Sequence, residues 1–322
     1  MNFMELDKKL SFDDFKKEVL NDYYICNLSR KLSILGRKEV LSGKAKFGIF
    51  GDGKELAQVA IAKFFRKGDW RSGYYRDQTW MLASGLLTPE QFFAQLYGDT
   101  DIRNNPHNSG RVFNNHFSTA NTNPDGSWKN LMEQKNSSAD ISPTAGQMPR
   151  LLGLAYASKL YRNLPELNSF KNFSEGGNEV AFGSIGDAST SEGHFWETLN
   201  AASVLQVPLA LFVYDDGYGI SVPKKHQTAR QSISEAIKGL EDEYGNGIKI
   251  YKVKGWDYPA LVKTVKEGIG LCREKHKPVV FHIEEITQPL GHSTSGSHER
   301  YKSPERLQWE QDFDPIKKLK HG

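Results

Sequence analysis

Residues 179–219 read EVAFGSIGDASTSEGHFWETLNAASVLQVPLALFVYDDGYG. Two near-continuous apolar runs, each closing on Gly or Asp, flank a stretch with helical spacing. Apolar runs of this kind are strands buried on both faces, and strands joined through a helix run parallel. The spacing predicts a strand over 179–185, a helix over 193–205 and a strand over 208–214. The alternation continues with a helix near 231–240, a strand over 248–253, a helix over 257–274 and a strand over 278–285. An α/β fold follows, with a parallel sheet carrying helices on both faces. In such sheets ligands sit beyond the carboxyl ends of strands, where the strand order reverses. Asp187 lies at one such end, and Asp216, 29 positions later, lies at the next. Two oxygen ligands from adjacent strand ends, facing the free amides of a helix that Gly193 opens, suit magnesium and a phosphate. Read locally, Asp and Gly after a strand are also ordinary turn residues.

The first hundred residues are read as helical. Ser11 caps a helix in which Phe12, Phe15, Val19, Tyr23 and Cys26 share a face, extended by Leu28, Leu32 and Leu35 to a stop at Gly43. A second helix is expected over 54–66, and a third starts with Thr88 as cap and Pro89 as its first residue. A stretch rich in Asn, Ser and Gly, without periodicity, follows. The expected organisation is one domain in four parts: a helical N-terminal segment (1–98), an active-site loop region (99–142), an α/β diphosphate-binding core (143–290), and a phosphate loop with a C-terminal tail (291–322).

Composition removes other classes. The chain has 322 residues, 42 basic and 39 acidic, with 38% hydrophobic content. That is enough for a core, and a net charge of +3 gives no field to gather nucleic acid or anionic lipid. Cys26 and Cys272 have no metal or disulfide spacing. The N-terminus is too acidic for a signal peptide, and the longest apolar run, VPLALFV, is far below the ~20 residues of a membrane span. A cytoplasmic protein without membrane or nucleic-acid partners is expected.

The pattern from Gly186 to Pro223 resembles that of thiamine diphosphate enzymes, and in particular the α subunit of the decarboxylating first component of 2-oxo acid dehydrogenase complexes. YYRDQTWMLASGLLTPEQFFAQLYG (74–98), SGRVFNNHF (109–117), SPTAGQMPRLLGLAYASKL (142–160) and QPLGHSTSGSHERYKS (288–303) have counterparts in the same order. Branched-chain members are nearest in form. The resemblance implies the thiamine diphosphate-binding fold, thiamine diphosphate and Mg2+ as cofactors, and decarboxylation of a 2-oxo acid with acyl transfer to lipoyl. It implies metal ligation by Asp187, Asp216 and the carbonyl of Tyr218. Tyr75 and Arg76 reach the cofactor, the arginine on its diphosphate, and Gln147 and Pro149 open a helix nearby. Gly186, Ala188, Ser189 and Ile220 complete the binding set. His292 lies beside the phosphates and His116 faces the reaction centre, both as proton-handling catalytic groups. Implied partners are a β subunit or β domain holding the pyrimidine half, a lipoyl acyltransferase and a second α chain.

Departures from the family pattern keep other readings open, namely a pyruvate or acetoin dehydrogenase α subunit, or a noncatalytic phosphate-binding or regulatory subunit. Ala188 replaces a glycine and is expected to cost backbone freedom. Asp215 and Asp216 replace Asn-Asn, and Tyr214 stands where branched-chain members have arginine. Gln78 departs from the usual residue after YRD. Ile141 and Gly146 replace oxygen-bearing side chains of a potassium site, which is therefore not expected. Upstream, FGDGKE (50–55) contains a literal Gly-Asp-Gly, read as a turn that starts the 54–66 helix. His194, His226, His276, His282 and His298 are expected on the surface or in packing. Ser293, Ser295 and Ser297 lie in a loop phosphorylated in some relatives and are read as a flexible loop.

Overall fold

Eight strands are present in the computed structural model, which describes residues 11–241 and 245–321. They are β1 (Trp70–Ser72), β2 (Asn136–Ser137), β3 (Ala181–Gly186), β4 (Leu209–Tyr214), β5 (Tyr218–Gly219), β6 (Val222–Pro223), β7 (Lys249–Lys254) and β8 (Val279–Glu284). Six of them form an all-parallel sheet in the order β2-β1-β3-β4-β8-β7, while β5 and β6 make a small antiparallel hairpin. The strand order reverses between β1 and β3.

Alternation along the strands divides the core into two faces. Leu209, Leu211 and Val213 of β4 pack with Ile185 and Val280 against the helices Gln147–Asn163 and Gly193–Leu205. Ala210, Phe212 and Tyr214 point the other way, toward Glu55–Ala62 and Tyr258–Lys275. On that side Phe212 stacks on Phe281 at 4.6 Å and Phe281 on Tyr251 at 5.3 Å. Each fully buried phenylalanine contributes about 1.5–3 kcal/mol of transfer free energy. Cys26 and Cys272 lie in this face as free thiols. No helix of the described residues is long and apolar enough to cross a membrane.

The elements expected from Ala181 to Glu284 are present, with one reduced. The helix read near 231–240 is only Ile233–Ala236, flanked by 3-10 turns. β1 and β2 extend the sheet beyond the strands legible in the sequence. The first helix runs Phe12–Leu41 with Ser11 capping the Asp14 amide, but its inward face differs from the expected one. Phe12 and Phe15 are exposed, while Asp22, Cys26, Ser29, Leu32, Ser33 and Gly36 are buried. The serines face inward because Ser29 and Ser33 accept bonds from the Gln78 amide. The helix expected over 54–66 ends at Ala62. Residues 1–10, on which much of the signal-peptide reading falls, lie outside those described.

Candidate active site

A cavity of about 400 Å³ opens beyond the carboxyl ends of β1, β3 and β4, with Gln288 and His292 beyond β8 closing one side. β1 leads into Gly73, where a Cβ would strike the Asp77 carboxylate and the Arg71 guanidinium. That close approach turns the chain so that Tyr74, Tyr75 and Arg76 line the cavity. Arg76 is buried and donates to the Phe50 carbonyl at 2.5 Å and the His292 carbonyl at 2.9 Å. Among the described residues no carboxylate pairs with it. β3 delivers Gly186 and Asp187. The Asp187 side chain is buried and has no ion-pair partner among the described residues, and burial, followed by the charges of Asp216 and Asp215, pushes its carboxyl well above the usual range.

β4 ends in Tyr214, Asp215 and Asp216, and the two aspartates differ in role. Asp216 faces the cavity, accepts the Tyr218 amide at 3.2 Å and takes the Lys54 ammonium at 3.1 Å. Asp215 turns away from the cavity. Its Oδ2 accepts Lys224 at 2.7 Å and His282 at 2.9 Å; burial alone would raise its pKa, but these two donors hold it below the ordinary value. Asp215, His282 and Glu284 are close enough to ligate an ion. Each already has another partner, Lys224, Ser234 and Lys252 respectively, so the cluster is an ion-pair network as it stands.

Most of the residues singled out in the sequence converge here. Tyr75, Arg76, Gly186, Asp187, Ala188, Ser189, Asp216, Tyr218, Ile220 and His292 all line the cavity. Gln147 does not. It sits behind the wall, where its amide donates to the Ser184 carbonyl and its own carbonyl accepts Ser72, joining β1 to β3. His116 is also set back, reaching the cavity through Ser142 at 3.1 Å and the ring of Tyr75. The amides opening the helix at Gly193 are not in the lining, because the 3-10 turn Ala188–Ser191 intervenes. The expected backbone cost at Ala188 is absent too: its φ is not positive, so no glycine is needed there. Ile220 is the strained residue instead, at φ 57 on the exposed hairpin, a conformation unfavourable for a β-branched side chain.

Lys54 is the charged residue of the lining that sequence reasoning missed, beside polar ones such as Ser142, Gln227 and Gln288. FGDGKE does form a turn into a helix, with Gly53 at φ 85 where a Cβ would strike the Thr287 carbonyl. The turn also places the next residue in the cavity. The only signal in the sequence was a lysine at a helix start, where the dipole disfavours a cation.

His292 is held mainly by burial, and next by Arg76, at a pKa of about 4. The unfolded chain therefore takes up this proton first, near pH 6.5, and stability falls as pH drops from there toward 4. We expect about 2 kcal/mol to be lost between pH 7.5 and 4.5 through this group, and His292→Gln to remove that share of the slope in urea melts.

Residues 25–322 match the dehydrogenase E1 component family. The chain belongs to that family. Among curated relatives this E1 chain is 28% identical over 306 residues to 2-oxoisovalerate dehydrogenase subunit alpha of Bacillus subtilis, covering 93% of the chain and 80% of the relative. It is 29% identical over 280 residues to the mitochondrial protein of that name from Caenorhabditis elegans, covering 86% and 56%, and 26% identical over 309 residues to the human one, covering 95% and 60%. The chain thus spans little more than half the length of the animal relatives. The family uses thiamine diphosphate.

The residues present fit that cofactor. A buried guanidinium and a buried carboxyl line one cavity, and among the described residues neither has an ion-pair partner. Buried charged groups favour partners of opposite charge, and a diphosphate carrying a divalent metal answers both.

Proposed function

We propose that this E1 chain is the diphosphate-binding α half of a thiamine diphosphate- and Mg2+-dependent 2-oxo acid dehydrogenase, acting on a branched-chain 2-oxo acid and passing the acyl group to lipoyl. The observation that carries the reading is that Arg76 and Asp187 are both buried at one cavity and neither has an ion-pair partner among the described residues. In this reading Asp187, Asp216 and the Tyr218 carbonyl hold the metal. Arg76 holds the diphosphate in fork geometry, which lysine could not reproduce. His292, neutral at pH 7, donates to a phosphate oxygen, and Ile220 and Ser189 shape the mouth. The bound cofactor supplies the electron sink for decarboxylation. His116, steadied by Ser142 and the Tyr75 ring, is assigned proton transfer at the mouth. The branched-chain preference rests on the names of distant relatives and on the GHSTS segment at 291–295.

The same reading keeps 143–290 as most of the diphosphate-binding core, which β1 and β2 extend, and 99–142 as a segment beside the site that supplies Ser142 to its lining. It also assigns the pyrimidine-binding half to a β subunit or domain, the acyl acceptor to a lipoyl acyltransferase, and a second α chain as neighbour. The described residues hold one parallel sheet, and Ile220 in the cavity lining is exposed.

Calorimetric titration of the chain with thiamine diphosphate and MgCl2 tests the reading. Binding is expected to require the metal, and Arg76→Gln is expected to weaken it by about 1–3 kcal/mol, the loss of a charge-assisted bond. No metal-dependent binding to the wild-type chain would end the reading. With the β partner added, release of carbon dioxide from branched-chain 2-oxo acids, pyruvate and 2-oxoglutarate identifies the substrate, and the isolated chain should turn over none of them.

A further inference from the structure

Lys54 stands on a proposed metal ligand. It is buried, and its Nζ donates to Asp216 Oδ2 at 3.1 Å and to the Thr287 carbonyl at 3.3 Å. An ammonium has three donors, so one remains for the cavity that Lys54 lines. A divalent ion on Asp216 would meet this ammonium at close range in a partly dehydrated site, where like charges repel strongly. A buried ammonium, in turn, cannot simply lose its carboxylate without gaining another partner. The two partners of Asp215, Lys224 and His282, do not line the cavity, so among the described residues Lys54 is the cation that shares both the cavity and an acidic group in it.

Resting on the cofactor reading above, we propose that Lys54 is an exchangeable counter-cation. Its ammonium occupies Asp216 until a diphosphate enters, then turns to the phosphate oxygens and releases Asp216 to the metal. The backbone is fixed by the Gly53 turn against Thr287, while the four-carbon stem provides the reach for this exchange. Metal and diphosphate then each bind tightly only in the presence of the other. Such coupling is reciprocal by linkage.

The test is calorimetry on the full chain with MgCl2 and with sodium pyrophosphate, each alone and each in the presence of the other. In Lys54→Gln, Mg2+ alone is expected to bind about tenfold tighter than in wild type, and pyrophosphate alone about tenfold weaker, so the mutual enhancement shrinks. Asp216→Asn should act in the opposite sense on the anion: with Lys54 released, pyrophosphate alone binds about tenfold tighter, while Mg2+ is weakened. Should Lys54→Gln not fold, Asp216→Asn decides. Unchanged or weaker Mg2+ binding in Lys54→Gln, or unchanged pyrophosphate binding in Asp216→Asn, overturns the exchange while leaving the cofactor site standing. A wild-type chain that binds no thiamine diphosphate with Mg2+ removes both.

Discussion

Asp187→Asn will stabilise the ligand-free chain and disable the proposed cofactor site. The wild-type carboxyl is buried beside two further aspartates, and its pKa is raised by burial first and by Asp216 and Asp215 next. A carboxyl whose folded pKa lies above its unfolded value contributes stability at low pH and loses it as pH rises, so burying Asp187 costs stability at pH 7. Asparagine keeps the shape without the charge. We expect a gain of about 1–2 kcal/mol at pH 7, about 1.5–3 °C in Tm, fading toward pH 4. Magnesium-dependent binding of thiamine diphosphate should weaken at least ~100-fold, since a charged ligand is lost from a site with few of them. Thermal melts with and without cofactor read both effects. A variant that melts lower than wild type without ligand would make Asp187 a structural residue.

Arg71→Met is expected to cost more stability than any substitution in the cavity. Arg71 is fully buried at the centre of β1, with Nε on Asp77 at 2.8 Å and both terminal nitrogens on Asp140 at 3.0 Å. It also donates to Ser137 and to the Tyr74 carbonyl. One side chain thereby ties the end of the 99–142 segment to the turn that presents Tyr75 and Arg76. Methionine fills most of the volume but strands two buried carboxylates, a loss of about 3–5 kcal/mol, or about 4–7 °C in Tm. Arg71→Lys should recover little, because a point charge cannot serve Asp77 and Asp140 in fork geometry. A melt within ~1.5 °C of wild type, ~1 kcal/mol or less, would show that the aspartates find other partners.

What the sequence made legible follows from how locally each feature is encoded. β3, β4 and β8 announce themselves because burial on both faces demands unbroken apolar runs. β1 and β2 have three and two residues, and their inward groups include Arg71 and Asn136, so no run marks them. Their partners are supplied by tertiary structure: Asn136 donates to the Leu131 carbonyl, and Arg71 finds its aspartates. The site motif was legible where its order along the chain is fixed, from Gly186 to Ile220. Lys54 was not, because its meaning depends on Asp216, which is 162 positions away. Even the charge departures at Asp215 and Asp216 have opposite explanations, one turned into a pair with Lys224 and His282 and one left facing the cavity. Adjacent residues at a strand end point to opposite sides, and only the three-dimensional surroundings say which cation waits on each.

The position of β8 bears on how the chain emerges from the ribosome. β8 lies between β4 and β7, although both precede it in the sequence. The edge of β4, an unbroken row of buried apolar residues, therefore has no neighbour on that side until residues 279–284 are made. At about 5–20 residues per second, synthesis of the intervening roughly 65 residues leaves that edge unpaired for roughly 3–13 s. A sticky strand exposed for that time is open to pairing with another nascent chain. Expression yield should accordingly be governed less by the stability of the finished protein than by what shields β4 during those seconds.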